Sequence, residues 1–354
     1  MKKNYLITTG GSGGHVIPAT VLYHHLSKSA DLLITIDKRG LKYLDKNDYN
    51  FTIIDTPKLN NIFLLPYNLL IILFLSLKSI FVLKNKKIEK IFSTGGYMSL
   101  PVILAGRVLN LEIYLIEPNQ VIGRANKYFL KFSKKIFCYS EDLKNFPYNY
   151  KDKIITIKPL VKKNTYEAKS TQSQNKKLSL LVVGGSQGAN IFDQNLKNSV
   201  VNLSKKNSLK IIQQTNKNNI SFLRDFYSQN DVENEIFSFK KDLIANIQQA
   251  DLCITRAGAS TLAELSLMNI PFIAVPLPKS RDNHQLENAN YYKDKDCCWI
   301  IEQNNFEEKI QNFLEDILKD KSDLLKKKEN LKKLNYQNTW INVNQKILEN
   351  INEN

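Results

Sequence analysis

TTGGSGGH, Thr8 to His15, closes one apolar run and opens another. Tyr5–Thr9 reads as a short buried strand that stops at Gly10, and Gly14 to about Ser27 reads as a helix. Glycines let the backbone take positive φ and approach a ligand closely. A helix that begins there turns open N–H groups and the positive end of its dipole toward an anion. A phosphate-bearing ligand is therefore expected beside this turn. The spacing is not GxGxxG, because Val16 stands where the last glycine belongs, and no GK[ST] follows to make a Walker A loop.

The same unit returns in the second half, where Leu178–Val183 leads into VVGGSQGAN, Val182 to Asn190. Between the two lie the strand candidates Asp31–Ile36, Phe51–Ile54, Ile91–Ser93, Glu112–Ile116 and Lys135–Tyr139, with a further glycine turn at Gly95-Gly96. Ile211–Gln213, Ile236–Phe239, Leu252–Ile254 and Phe272–Val275 continue the pattern. Strands alternating with helical stretches imply parallel βαβ units. The expected fold is α/β, with two Rossmann-like domains whose parallel sheets face a cleft. The first spans 1–161, a polar linker (KKNTYEAKSTQSQNKK) 162–177 and the second 178–335, with a C-terminal helix, 336–354, assigned to pack back on the first.

The chain has 354 residues, 43% of them hydrophobic, enough for two cores. Fifty Lys and Arg against 34 Asp and Glu give +16. That excess suits an anionic membrane surface. Nucleic acid is set aside, because no basic motif interleaved with aromatics occurs. The cysteines Cys138, Cys253, Cys297 and Cys298 form no CxxC pair and read as reduced and cytosolic. Tyr5–Thr9 is too short for the apolar core of a signal peptide. The one DxD, Asp294–Asp296, sits in a lysine-rich stretch and reads as surface charge, so no metal is expected.

IFLLPYNLLIILFLSLKSIFVL, Ile62 to Leu83, carries Lys78 as its only charge. Its length permits a membrane span. Pro66 and Asn68 interrupt it, however, and a single span would separate strands that must share a sheet. It reads as a surface helix with an apolar face, followed by Lys84, Lys86, Lys87 and Lys90 for anionic headgroups.

DLCITRAGASTLAEL, Asp251 to Leu265, places Arg256 and Gly258 after a strand and before a helix around Ala259–Met268. Ser260 or Thr261 is expected to cap that helix. Glu264, a turn inside, can accept from two vicinal sugar hydroxyls, and Arg256 can meet a phosphate. DNHQLENAN then opens a polar helix bearing Gln285 and Asn288. GGSQG also matches GxSxG, which would make Ser186 a nucleophile, with Asp242 or Asp251 as acid and His284 as base. That serine-hydrolase reading leaves the first glycine turn without a task.

Six blocks in order, GGSGGHVIPA, STGGYMSLP, IEPNQVIGRANK, LLVVGGSQGAN, TRAGASTLAE and DNHQLENA, resemble the MurG family within glycosyltransferase family 28, over nearly the whole chain. The resemblance implies a GT-B fold and inverting, metal-independent transfer of GlcNAc from UDP-GlcNAc to C4 of the MurNAc in lipid I, giving lipid II. It implies no cofactor, a site at the cytoplasmic face of the inner membrane, and possible contact with other cell-wall synthesis proteins. On the donor side it points to Ser186 and Arg256 for the diphosphate, and to Glu264 for the ribose. Ala259, Ser260, Thr261, Leu262 and Ala263 would form the uridine and helix-end site. His284, Gln285 and Asn288 would lie by the sugar, and Ser12, Gly13, Gly14 and Asn119 at the donor or the cleft. Tyr97 and Glu117 would serve the acceptor side, with His15 as general base. Lys162 and Lys240 are weaker donor candidates: Pro159-Leu160-Val161-Lys162 stands where the family has Asn-Pro-Val-Arg. Ile116-Glu117-Pro118-Asn119 likewise departs from the family's His-Glu-Gln-Asn. Within the same class, a diacylglycerol glycosyltransferase is the alternative.

Overall fold

A computed structural model describes residues 2–57, 62–168, 177–185, 190–240 and 242–352. The chain divides into two compact units, Met1–Val161 with Thr339–Asn354, and Lys162–Asn338.

In the first unit, β1 (Lys3–Thr9), β2 (Ala30–Ile36), β3 (Phe51–Ile53), β4 (Lys90–Ser93), β5 (Glu112–Glu117), β6 (Lys135–Cys138) and β7 (Ile154–Thr156) form one parallel sheet in the order β3-β2-β1-β4-β5-β6-β7. The helices α1 (Gly13–Leu26), α2 (Leu65–Asn85), α3 (Leu100–Val108) and α4 (Arg124–Phe129) connect the strands. Strands covered on both faces need continuous apolar runs, and Tyr5, Leu6 and Ile7 are all buried. Tyr5, Phe92, Tyr114 and Phe137 make a row of ring contacts across β1, β4, β5 and β6.

In the second unit the order of elements is α5 (Lys163–Glu167), β8 (Leu178–Val183), α6 (Asn190–Asn195), α7 (Lys197–Ser204), β9 (Leu209–Gln214), α8 (Ile220–Gln229), β10 (Glu233–Phe237), α9 (Ile244–Gln248), β11 (Leu252–Thr255), α10 (Ala259–Leu267), β12 (Phe272–Ala274), α11 (His284–Lys293), β13 (Cys298–Ile300), α12 (Phe306–Lys319) and α13 (Ser322–Leu334). Its parallel sheet runs β10-β9-β8-β11-β12-β13. The last helix, α14 (Trp340–Asn352), belongs to the first unit. Val343, Ile347 and Ile351 join its core, and Trp340 stacks on His25 with ring centroids 3.6 Å apart. Of the stretch expected as a linker, 163–167 is helical and 169–176 lies outside the described residues.

β7 and β13 are not anticipated by the sequence. Each is a three-residue strand at a sheet edge, too short to show a hydrophobic pattern. α2 has its polarity inverted. Asn68, Ile72, Ser76, Ser79 and Leu83 form its buried stripe, and the Ser76 and Ser79 hydroxyls donate to Ile72 and Leu75 carbonyls in the preceding turn. Leu70, Phe74 and Phe81 face outward, 66%, 67% and 66% exposed. The helix is long and apolar enough to cross a membrane, with mean hydropathy 1.9. The flanking β3 and β4 nonetheless lie in one sheet, and the buried stripe packs on the unit it belongs to. Lys90, expected to meet headgroups, turns inward instead. It pairs with Glu112 at 2.7 Å and donates to the Ile351 carbonyl at the end of α14.

Candidate functional site

Strand order reverses between β1 and β4 in the first unit and between β8 and β11 in the second. Open parallel sheets bind ligands at the carboxyl ends of the strands flanking such a point. The turns at Gly10–Gly14 and Gly95-Gly96 follow β1 and β4. Gly184-Gly185 follows β8, and the Arg256–Gly258 turn follows β11. All four glycine-bearing turns therefore stand at the two places where the topology favours a ligand.

Around the first point, Gly11, Gly95 and Gly96 have φ of 76°, 84° and 81°, a region that side chains other than glycine rarely enter. Ser12 is the N-cap of α1 through its backbone alone, and its hydroxyl makes no capping bond. The N–H groups of the first helical turn, at Gly13 and Gly14, have no partner within the helix. His15 Nδ1 lies 2.7 Å from the Thr94 carbonyl oxygen. A carbonyl can only accept, so in the neutral ring Nδ1 carries the proton and Nε2 is the basic atom. A Cβ placed on Gly96 would stand 3.6 Å from that Nε2.

Tyr97 lies beside the same turn, with the Arg39 guanidinium 4.9 Å from its ring centre. Burial raises the pKa of its hydroxyl, against the opposing pull of Arg39. Glu117 is buried and fully engaged. One oxygen accepts from the Asn119 N–H and side-chain amide at 3.2 and 3.0 Å, the other from the Gly123 N–H and Asn126 Nδ2 at 2.8 and 3.0 Å. It organises the 117–126 loop and positions Asn119.

At the second point Gly185 has φ of 75°. Ser186 lies outside the described residues. Arg256 stands just past the carboxyl end of β11 and is partly buried. Its guanidinium donates to the Val275 and Pro276 carbonyls at 3.1 and 3.4 Å and to Gln303 Oε1 at 2.6 Å. Burial lowers its pKa. It ties the ends of β11 and β12 together.

The N-cap of α10 is Gly258, and neither Ser260 nor Thr261 caps it as expected. Gly258 holds extended backbone, φ −75° and ψ 131°, so both hydroxyls fall inside the first turn rather than ahead of it. The open N–H groups there belong to Ala259, Ser260 and Thr261. The Leu262 and Ala263 side chains are buried among core residues.

The Glu264 carboxylate accepts no hydrogen bond from any described residue. Burial raises its pKa to about 7, with Lys162 opposing and Asp242 adding to the rise. A partly buried carboxylate without a donor among the described residues fits a ligand that brings two hydroxyls of its own.

On α11, Asn288 is buried and donates to the Ala257 carbonyl at 3.1 Å, holding the turn before α10. Gln285 Oε1 accepts the Leu277 N–H at 2.9 Å, and His284 Nδ1 lies 2.7 Å from the Arg281 carbonyl. Lys240 is drawn to Asn246 and Glu235 at 3.3 and 3.8 Å, beside the Phe237 ring.

The arrangement needed for a serine hydrolase does not form among the described residues. Asp251 accepts the Ser179 N–H, Asp242 accepts from Ile244 and Asn164, and neither bonds His284. The described residues contain no group of three or more His, Cys, Asp or Glu placed to hold a metal ion. Asp296 of the DxD pairs with Lys326 and Lys327 at 2.9 and 2.6 Å.

Several residues that shape these sites have no motif to announce them. Asp37, fully buried, accepts the Gly11 and Gly40 N–H groups at 2.7 and 3.0 Å and pairs with Arg39. Met98 fills the space against which Cβ atoms on Gly10, Gly11 and Gly96 would collide. Gln214 and Asp193 do related work in the second unit. An acid directly after the second strand was the one available signal, for Asp37.

Family models match both units. The glycosyltransferase family 28 N-terminal domain matches residues 5–138, and the family's C-terminal domain matches residues 179–339. Fold, paired glycine turns and sequence together place the chain in glycosyltransferase family 28. More particularly, it is 46% identical, over the full length of both chains, to the UDP-N-acetylglucosamine–N-acetylmuramyl-(pentapeptide) pyrophosphoryl-undecaprenol N-acetylglucosamine transferase of Pelagibacter ubique. The transferase of the same description from Rickettsia felis is 34% identical, over 86% of this chain and 87% of the other. The crystal structure of Acinetobacter baumannii MurG superposes with a TM-score of 0.75 at 22% identity, covering 94% of this chain and 95% of that one. That likeness concerns the fold.

Proposed function

We infer that this chain transfers N-acetylglucosamine from UDP-N-acetylglucosamine to the N-acetylmuramyl sugar of undecaprenyl-pyrophosphoryl-MurNAc-pentapeptide, the step that completes lipid II for peptidoglycan. Full-length similarity to transferases of that description carries the substrates. The observation that carries the donor site is Glu264, a carboxylate without a donor among the described residues, one turn behind the open N–H groups of α10. It takes the ribose hydroxyls, while the N–H groups and hydroxyls at Ser260 and Thr261 face the nucleotide and its diphosphate.

The reaction is a single displacement with inversion. His15 Nε2 takes the proton of the acceptor 4-hydroxyl as its oxygen bonds to C1 of GlcNAc. The C1–O bond to UDP breaks, and its electron pair leaves on the β-phosphate oxygen. Charge on the departing diphosphate is stabilised by helix-end N–H groups and hydroxyls, with no metal ion required. Chelation by EDTA therefore leaves the transfer rate unchanged, and a rate restored only by added Mg²⁺ or Mn²⁺ would refute that feature.

The outward apolar face of α2, followed by the exposed Lys84, Lys86 and Lys87, supports a peripheral enzyme lying on an anionic membrane surface. The cytoplasmic leaflet, where the lipid-linked acceptor is met, is its place. Binding of UDP by the purified chain, followed by calorimetry, tests the donor site. Micromolar or tighter binding is expected, and binding unaffected by Glu264→Ala would contradict the ribose assignment.

A further inference from the structure

We propose that Asp37 and Arg39, just past the carboxyl end of β2, form a clasp that holds together the two glycine turns on either side of His15, with Asp37 as the positioning residue for the base. The proposal rests on the reading of His15 as the base of the transfer.

Asp37 follows Ile36, the last residue of β2, which pairs in parallel register with Thr9 at the end of β1. It therefore stands level with Gly10, where the first glycine turn begins. Its side chain is fully buried. A buried carboxylate is costly unless it is hydrogen-bonded and paired, so its partners define its work. Oδ1 accepts the Gly11 N–H at 2.7 Å and the Gly40 N–H at 3.0 Å, while Oδ2 pairs with the Arg39 guanidinium. The fit extends to the backbone. A Cβ on Gly10 would stand 2.4 Å from Asp37 Oδ1, and one on Gly40 would stand 2.9 Å from the Gly10 Cα. Glycine at both positions lets the 37–40 turn press directly on the first glycine turn. From there the chain runs straight to the base. The Ser12 N–H donates to the Gly10 carbonyl at 3.0 Å, and the His15 N–H to the Ser12 carbonyl at 3.1 Å. A shift at Gly11 is thus carried to the start of α1 and to His15.

Arg39 reaches the other turn. Its guanidinium lies 4.9 Å from the centre of the Tyr97 ring, and Tyr97 directly follows Gly95-Gly96. His15 Nδ1 lies 2.7 Å from the Thr94 carbonyl oxygen, just before those glycines. The base therefore sits between the turn that Asp37 hydrogen-bonds and the turn on which Arg39 rests. Hydrogen bonds to an ionised group are the stronger kind, and here one buried carboxylate serves both turns. Displacing a base slightly from the hydroxyl it must deprotonate costs rate heavily.

The test is a double-mutant cycle on the full chain, read as transfer from UDP-GlcNAc to the lipid-linked acceptor. Asp37→Ala is expected to lower the maximal rate roughly ten-fold or more, with UDP affinity by calorimetry within about two-fold of the parent. Asp37→Asn keeps an acceptor for both N–H groups and is expected to lose less. In a His15→Ala background, the Asp37→Ala change is expected to cost under about three-fold, because the group it positions is already gone. A merely structural role would cost the same factor in both backgrounds. That equal loss, or a rate unchanged by Asp37→Ala, would overturn the clasp. Should Asp37→Ala not fold, Arg39→Met, at a partly exposed side chain, is carried through the same cycle with the same expected split. A parent chain that transfers no GlcNAc would overturn the functional reading, and the clasp with it.

Discussion

His15 and Glu264 show how much a single side chain reveals before and after its neighbours are known. A histidine following a glycine turn is visible in the sequence as a candidate base. The Thr94 carbonyl that sets its tautomer comes from 79 residues away, beyond the reach of any local pattern. His15→Ala is expected to lower the transfer rate by ~10²-fold or more, the scale of a lost general base, with UDP affinity retained. An unchanged rate would remove His15 from that role.

Glu264 titrates in the opposite sense from most carboxylates. Its folded-state pKa of about 7 lies above the ordinary 4.5, so the neutral carboxyl is favoured by the fold. The stability it contributes is complete below about pH 4.5 and is lost as pH rises through about 7. Glu264→Gln, neutral throughout, should melt a few degrees above the parent at pH 8, at roughly 2–4 °C per kcal/mol for a chain of this class. The difference should vanish near pH 4.5, and a gap that widens on acidification would contradict the assigned environment. Donor binding runs the other way. The ionised carboxylate offers both oxygens to the ribose, so the donor KM should rise as pH falls from 8 to 6, and should be flat over that range in Glu264→Gln.

At the scale of elements, the turns were more legible than their supports. Runs such as TTGGSGGH and VVGGSQGAN announce strand, turn and helix because positive φ and an open helix end both demand small residues. Asp37, Met98 and Gln214 hold those turns from elsewhere in the chain; an acid directly after a strand marks Asp37, while nothing in their local sequence distinguishes Met98 and Gln214 from ordinary core or polar residues. The α10 cap was misplaced for a related reason. Ser260 and Thr261 look like caps by residue type, and only the extended backbone at Gly258 shows that they lie within the first turn. For α2, composition revealed an apolar helix, while the side that is buried depended on its packing. Leu70→Glu with Phe74→Glu should reduce partition onto anionic vesicles by roughly ten-fold or more per residue, with turnover on a water-soluble acceptor analogue preserved. Alkaline carbonate should release the parent chain from membranes, and retention after that wash would contradict a helix lying on the surface.

For the whole molecule, the repeat of one βαβ plan in two halves was legible in strand spacing, and both sheets carry the same 3-2-1-4-5-6 succession around their switch points. The return of α14 to the first unit rests on contacts such as Trp340 with His25 and Ile351 with Lys90, which link opposite ends of the chain. Both halves are needed for the account. One unit offers a base at a glycine turn and an apolar helix for a lipid-borne acceptor, while the other offers the nucleotide site. The measurement that tests their combination most directly supplies purified protein with radiolabelled UDP-GlcNAc and undecaprenyl-pyrophosphoryl-MurNAc-pentapeptide in EDTA. The account predicts that label moves to the lipid, giving a product heavier by one N-acetylhexosamine, with UDP released in equal amount. No transfer to that lipid, together with sugar transfer to diacylglycerol, would contradict it.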